Sequence, residues 1–321
     1  MWFFMAINRI DFDKPIDKSR AKRLAIAILH NPVTPDSPED MKDILVQVKW
    51  VGELVSELGH QAKNVILDPA DSDLVRKLVN AVDVVFNLVD SSSVEPAAAY
   101  WAVSFLERLK KPFTGTGIEA MVLTTDKIHA KVVLRQAGLA TADWVSACDR
   151  RAFRPGITYL VKPIREDASI GISQDSIVKP ESLEELLSVL ARKEIESGDA
   201  YFAEAYLPGR EYDVPLLETA SGVVALTPVE LQFKGFGEAG LTEIYSYHAK
   251  WGGNLVEYDG VQMHLSQDQE LNQQLQSMAC KAWDLFGLRG YGKMDFRLDA
   301  QGIPHILEIN SNPSLYLFWP H

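Results

Sequence analysis

Apolar and polar side chains alternate residue by residue through Tyr291-Gly-Lys-Met-Asp-Phe-Arg-Leu298, and again, after a turn ending at Gly302, through Pro304-His-Ile-Leu-Glu-Ile-Asn310. A period of two excludes a helix and reads as two strands, each with one buried face. In the first strand Lys293, Asp295 and Arg297 share a face, and Met294, Phe296 and Leu298 share the other; in the second, Ile306, Glu308 and Asn310 share a face. A hairpin whose turn pairs Leu298 with Ile303 sets Lys293 opposite Glu308 with Asp295 diagonal to it. Two carboxylates, a carboxamide and an ammonium then gather on one face. Oxygen donors of this kind suit magnesium, which takes a few carboxylates and completes its shell with nucleotide phosphates. The alternative for this hairpin alone is a solvated face with a Lys293 to Glu308 pair, and Pro304, which lacks a ladder donor, weakens the register.

The first third alternates strand-like and helix-like runs: a strand at 23–29, a helix at 40–58, a strand at 62–67, a short helix near Asp73 and a strand at 82–89. That order predicts an α/β unit on a mainly parallel sheet. The turn formers of Pro112-Phe-Thr-Gly-Thr-Gly117 close it, and a helix follows over 124–137. A second, α+β unit carries a strand at 158–161, a polar loop from Lys162 to Gly171 and a helix at 182–197. A third starts at Tyr201, with strands at 201–204, 212–217 and 223–230, a helix at 267–286 and the closing hairpin. The units are placed at 1–121, with 1–22 as an extension, 122–200 and 201–321.

With 47% hydrophobic residues, the 321-residue chain can bury several cores. A net charge of -12 argues against nonspecific binding to nucleic acid or anionic lipid, so an anionic ligand needs a local cluster of lysines. Cys148 and Cys280 lack the paired spacing of a disulfide framework or zinc site. The apolar start at 1–7 is too short to span a membrane and lacks the basic flank of a signal peptide, so a cytoplasmic location is expected.

At the hairpin the chain resembles ATP-grasp ligases, and from Pro112 to Pro313 it is similar to the D-alanine:D-alanine ligase branch. Phe113-Thr-Gly-Thr-Gly117, Thr125-Asp-Lys127, Val161-Lys-Pro163, Arg165-Glu-Asp-Ala-Ser-Ile-Gly171, Glu204 to Glu211 and Tyr247-His-Ala-Lys-Trp251 follow that family's motifs in order. The resemblance implies a three-domain ATP-grasp fold, α/β and α+β: an N-terminal Rossmann-like domain, a central lid and a C-terminal catalytic domain. It implies ATP and magnesium, two ions with Glu308 bridging, or manganese instead. Lys127 and Lys162 would contact the phosphates. The hinge Glu204, Ala205, Tyr206 and Leu207 would read the adenine edge, with Leu207, Phe296 and Leu307 lining the adenine slot, and Glu211 would hold the ribose. Ser169 and Gly171 would belong to the loop that closes over the phosphates, and Lys250 would reach the γ-phosphate. Asp295, Glu308 and Asn310 match the metal ligands, and Lys293 stands where an arginine steadies the reacting carboxylate.

The implied chemistry is phosphorylation of a substrate carboxylate by ATP and attack of an amine on the acyl phosphate, with Lys293, Lys250 and Ser169 at the catalytic centre. Both substrates are small molecules, and a homodimer is compatible with the resemblance. Ala168 and Trp251 depart from the hydroxyl-bearing pair that the dipeptide ligase sets around its first D-alanine. His30-Asn-Pro-Val-Thr-Pro-Asp36 lacks that enzyme's glycines and glutamate, and the Val89 to Glu95 loop lacks its His-Gly signature. Recognition of D-alanine is therefore not expected. Asp167, and a chain that stops at His321 soon after Asn312-Pro313, favour the alternative of a nucleotide-binding relative without turnover. A redox dinucleotide site would need a G-x-G-x-x-G after the first strand, and none is there.

Overall fold

The computed structural model describes residues 22–91, 97–252 and 256–315. The expectations for the 1–22 extension, for most of the Val89 to Glu95 loop and for the last residues lie outside the described residues, Lys22, Val89, Asp90 and Ser91 excepted. The described residues form three sheets.

In the first, the parallel strands β1 (Ala25–His30), β2 (Gln61–Ile66) and β3 (Val84–Asn87) lie in the order β2-β1-β3. Alternation along β1 buries both faces. Ile26 and Ile28 pack with Ile44, Val48, Val51 and Val55 of helix α1 (Glu39–Glu57). Ala27 and Leu29 pack against helices α2 (Ser72–Asn80) and α3 (Ala98–Arg108). Helix α3 went unread in the sequence; three of its six buried residues are alanines, and no side-chain cap marks its start.

Helices α4 (Ile118–Thr125) and α5 (Lys127–Gln136) split the single helix expected at 124–137. Asp126 leaves the helical conformation and caps α5 through the His129 N–H at 3.0 Å. The second sheet is antiparallel, ordered β4-β7-β5-β6, from β4 (Trp144–Ser146), β5 (Tyr159–Pro163), β6 (Ile177–Val178) and β7 (Tyr201–Ala205), with helix α6 (Leu183–Ser197) on one face. Thus β7, where the sequence begins its third unit, pairs in this second sheet, while Ala120, Ala130 and Leu134 of α4 and α5 join the core of the third.

That sheet runs β11-β10-β8-β12-β13, with β8 (Glu211–Thr219), β9 (Gly222–Ala225), β10 (Val229–Phe233), β11 (Val261–Leu265), β12 (Tyr291–Leu298) and β13 (Pro304–Asn310); β9 pairs β8 alone. The run 223–230, expected as one strand, is two, β9 and β10. The short helices α7 (Tyr247–Trp251) and α8 (Val256–Gly260) precede β11, and helix α9 (Gln269–Phe286) covers one face.

The register of the β12–β13 hairpin differs from the sequence reading. Leu298 pairs Pro304, Asp295 lies opposite Glu308 and Lys293 opposite Asn310, with an irregularity after Asp295. One extra residue, Leu307, is accommodated on β13, and such a bulge rephases a strand. Ile306 and Ile309 therefore both enter the α9 core, and Ile306 does not share the face of Glu308 and Asn310. Phe296 also lies in that core, fully buried, so it lines no nucleotide slot. Cys148 is exposed and Cys280 half-buried, and neither is in a disulfide. No helix among the described residues is long and apolar enough to cross a membrane.

Leu275 of α9 is fully buried in the third-sheet core, so Leu275→Ala should destabilise the fold by about 2–5 kcal/mol. The urea midpoint read by tryptophan fluorescence measures this. Leu45→Ala, on the exposed side of α1, should change stability by no more than about 0.5 kcal/mol.

Candidate active site

Because β12 lies between β8 and β13, side chains of three strands converge on the sheet face away from α9. Lys293 does not pair with Glu308; its ammonium lies 2.9 Å from Asp213 and 2.9 Å from Asp295. Burial works against that ammonium, but the two carboxylates outweigh it and hold its pKa above the ordinary lysine value. Asp213 was missed in the sequence, although it lies two residues from Glu211 and so shares its face. Burial raises the Asp295 pKa despite Lys293, with Asp213 and Glu308 adding to the rise.

Glu308 meets the buried Lys127 at 3.3 Å. The same ammonium contacts Asp167 at 3.2 Å and donates to the Glu166 carbonyl at 2.6 Å. Lys127 is thus turned onto the acidic residues of the loop and hairpin. Burial opposes the Glu308 charge, but Lys127 and its neighbours prevail and lower its pKa; burial raises that of Asp167. Among the described residues no three His, Cys, Asp or Glu side chains converge as a metal cage. The donors present are the oxygens of Asp295, Glu308 and Asn310, whose amide nitrogen sits 3.4 Å from Asp295. Such a set fits a hard dication that takes further oxygens from a phosphate, and a cation there would offset the crowding that raises Asp295.

A second ionic group lies deeper. Glu204 is 2.7 Å from Lys162 and also binds Lys131, all three almost fully buried. Burial lowers the Lys131 pKa to about 8, against the pull of Glu204. Lys131 was overlooked, though it stands one helical turn beyond Lys127 on α5. The Glu204 side chain is therefore occupied by lysines. Glu211 is likewise engaged, 2.7 Å from Arg297, whose guanidinium also donates to the Tyr206 hydroxyl and the Glu243 carbonyl.

The closing loop is bent at Ala168 and Ser169, with φ of 53° and 62°, and at Gly171, φ 74°. Non-glycine residues seldom adopt this region. The Ser169 hydroxyl donates to the Tyr245 carbonyl at 2.7 Å, and the Trp251 indole to the Ala168 carbonyl at 3.0 Å. Lys250 lies over the rings of Trp251 and Tyr245, and burial, then Lys293, lowers its pKa.

Two cavities open on this arrangement. One is a slot lined by Lys162, Ala205, Tyr206, Leu207, Glu211 and Leu307; the other is a polar chamber lined by Lys250, Trp251, Lys293, Asn310, Asp43 and Asp90. Asp295, Glu308, Ser169 and Tyr245 belong to both and mark where they meet. A larger, mostly apolar hollow between α1 and the 112–115 turn shares none of these charged groups.

A family model described as the D-ala D-ala ligase C-terminus matches residues 130–318. The chain belongs to the D-alanine:D-alanine ligase family. The D-alanine--D-alanine ligase of Nitrosococcus oceani is 35% identical over 215 residues, 65% of this chain and 62% of that protein, so the match spans under two thirds of that relative. The enzyme of Actinobacillus pleuropneumoniae serotype 5b is 28% identical over 83% of this chain and 81% of its own. Among solved structures, D-alanine--D-alanine ligase from Bacillus anthracis complexed with ATP has a TM-score of 0.64 at 17% identity, covering 90% of this chain and 87% of that one. D-alanyl-alanine synthetase A from Vibrio cholerae has a TM-score of 0.65 at 16% identity, covering 91% and 90%. The fold is the ATP-grasp fold of these ligases, and the family is one of ATP-dependent, ADP-forming ligases that make amide bonds.

In this family member the Lys131–Glu204–Lys162 group makes a stability prediction of its own. Glu204→Gln keeps shape but leaves two buried ammonium groups without their carboxylate, which should cost about 3–5 kcal/mol. Replacing Lys131 by methionine in that background should restore part of the loss. Melting temperatures of the single and double variants decide; no fall in the single variant would mean that the group is not desolvated.

Proposed function

We propose that the protein joins a small carboxylate to an amine at the expense of ATP, and that its substrates are not two D-alanines. The observation that carries this reading is the meeting of the slot and the chamber at Asp295 and Glu308. A nucleotide in the slot would present its γ-phosphate to a carboxylate in the chamber, which is the arrangement phosphoryl transfer requires.

Leu207 and Leu307 line the base position, and Ala205 and Tyr206 offer the hinge. Glu211 holds the ribose together with Arg297. Lys162 reaches the phosphates, and Lys127 acts there through its contact with Glu308. Magnesium, held by Asp295, Glu308 and Asn310, with manganese as the alternative ion, would neutralise charge building up on the β- and γ-phosphates. A carboxylate oxygen of the substrate attacks the γ-phosphorus, the bond to the β-phosphate oxygen breaks, and ADP departs. Lys250 and Lys293 steady the reacting oxygens. The amine nitrogen then attacks the acyl carbon, the bond to the phosphate oxygen breaks, and the nitrogen loses a proton. The bends at Ala168 and Ser169 bring loop backbone over the phosphates. We place this activity in the cytoplasm.

The departures around Ala168 and Trp251 support the exclusion of D-alanine. Trp251 spends its single N–H on the Ala168 backbone, and neither side chain offers a hydroxyl to an amino acid. The purified protein with D-alanine, ATP and magnesium should form D-alanyl-D-alanine at a rate close to background; efficient formation would overturn the substrate reading.

Glu308→Gln should keep the fold and much of the nucleotide affinity while lowering turnover at least ~100-fold, since the several kcal/mol of charge stabilisation from a well-held metal is lost. Lys162→Ala should weaken nucleotide binding at least ~10-fold at fixed magnesium, about 1.4 kcal/mol. Phosphate release and calorimetric titration with a non-hydrolysable ATP analogue measure the two. Parent-like values in both variants would remove the ligase assignment of this site.

A further inference from the structure

The chamber wall supplied by the first unit carries negative charge for which the phosphoryl chemistry has no use. Asp43, on α1, is almost fully buried, and its Oδ2 accepts from Gln47 at 2.9 Å and Ser314 at 3.2 Å. Its other oxygen, Oδ1, is buried with no hydrogen-bond partner among the described residues, on a side chain that belongs to the chamber lining. A buried carboxylate oxygen left so costs about 1–3 kcal/mol or more unless a donor arrives.

Asp90 lines the same wall. Its carboxylate accepts the Ser91 N–H at 2.9 Å, and burial lifts its pKa to about 6. Its backbone is fixed by Asn31, which donates to the Asp90 carbonyl and accepts from its N–H, both at 2.8 Å. The wall is therefore built rather than loose. Lys250 acts on both aspartates at a distance, Glu166 and Asp43 act on Asp90, and Asp40, Asp167, Lys293, Asp295 and Glu308 are the other charged groups of the lining. Among the described residues neither aspartate has a cation within ion-pair distance. Elsewhere in the lining Lys250 and Lys293 stand among Asp167, Asp295 and Glu308, and Lys293 is already paired with Asp213 and Asp295.

We infer that the wall supplied by the first unit is an ammonium subsite and that one substrate of the ligase is an amino acid with a basic side chain, whose terminal ammonium seats on Asp43 and Asp90. The inference rests on the ligase reading above. The nitrogen that attacks an acyl phosphate must be uncharged and beside Asp295 and Glu308, so a nitrogen held as an ammonium on Asp43 and Asp90 is not the attacking one; it is a side-chain ammonium or the α-ammonium of the activated substrate, and ligand pairs that share the α-ammonium tell the two apart. A charged N–H donor supplies the partner that Asp43 Oδ1 lacks, and a side-chain methyl group would leave that oxygen buried and unmet.

The test compares lysine with norleucine and ornithine with norvaline, in both enantiomers. Each pair shares the α-ammonium and the carboxylate and differs in the terminal charge. Calorimetric titration uses the full chain with magnesium and a non-hydrolysable ATP analogue already bound. At least one basic amino acid should bind ~10-fold or more tightly than its neutral counterpart. Asp43→Asn and Asp90→Asn should each bring that ratio to within about twofold. Equal binding of both members of each pair by the parent protein would overturn the subsite, and so would a ratio that survives in both variants. Circular dichroism confirms that each variant is folded, and the comparison in the parent needs no variant. If the parent fails to bind the nucleotide, the ligase reading falls first and this inference with it; nucleotide binding without discrimination removes the subsite alone.

Discussion

Lys293 sits between Asp213 and Asp295, 2.9 Å from each, and one buried positive charge against two negative ones leaves a surplus that has to be met by something else. Glu308 lies directly across the sheet from Asp295 and adds a third carboxylate. Removing charges from water costs several kcal/mol per ion unless they are well paired, so this face is stable only because neighbouring elements bring counter-charge to it. Lys127 does so from α5, contacting Glu308 and the loop residue Asp167 together. The result is an ionic seam joining a helix, a loop and a hairpin that lie far apart in sequence. Its negative surplus is concentrated where the two cavities join, which is the point that the proposed metal-bound nucleotide would supply with a dication.

The other charged groups follow the same logic at different depths. Glu204 is answered by Lys131 and Lys162, and its pKa is lowered although burial opposes the charge. Glu211 is paired with Arg297, with Lys293 and Lys162 acting from farther off, and there burial prevails and raises the pKa. Arg297 also makes two hydrogen bonds, to the Tyr206 hydroxyl and the Glu243 carbonyl, while its Nε is buried without a partner among the described residues. A planar guanidinium between two aromatic rings, 4.8 Å from that of Tyr206 and 5.8 Å from that of Phe233, shapes the slot as well as neutralising it.

How much of this could be read beforehand depended on whether the information was local. The two-residue period told which side chains of β12 point together, and the structure places Lys293, Asp295 and Arg297 on the site face and Met294, Phe296 and Leu298 in the core or against it. Assigning Phe296 to the adenine slot contradicted that same period, because a family motif was allowed to outweigh the alternation. Register was not legible. A bulge at Leu307 is a compromise between the Pro304 end of the hairpin and the need to bury both Ile306 and Ile309, and no short-range pattern announces it. Asp213 and Lys131 were legible in principle, one by strand period and the other by helical spacing, yet only the pairing of β8 with β12 and the packing of α5 show which charges they meet. The helix at 98–108 escaped because half of its buried residues, Ala98, Ala99 and Ala102, are alanines, which make little periodic contrast.

The loop over the site shows why a strained segment can persist there. Ala168 and Ser169 each occupy the left-handed region, at a cost of order 1–3 kcal/mol apiece for residues with a Cβ. Two bonds offset this, both made to the segment that ends in α7: Ser169 to the Tyr245 carbonyl, and the Trp251 indole to the Ala168 carbonyl. The Ile172 carbonyl, accepting from the Tyr247 N–H at 2.9 Å, adds a third tie between the same segments. The loop of the second unit and the 245–251 segment of the third therefore form one cover, and Lys250 is carried on it between Tyr245 and Trp251. Separating the two segments would break all three ties, release the backbone strain and withdraw Lys250 from the chamber together. The position of this cover over the junction of the cavities and the position of that ammonium are thus set by the same few hydrogen bonds.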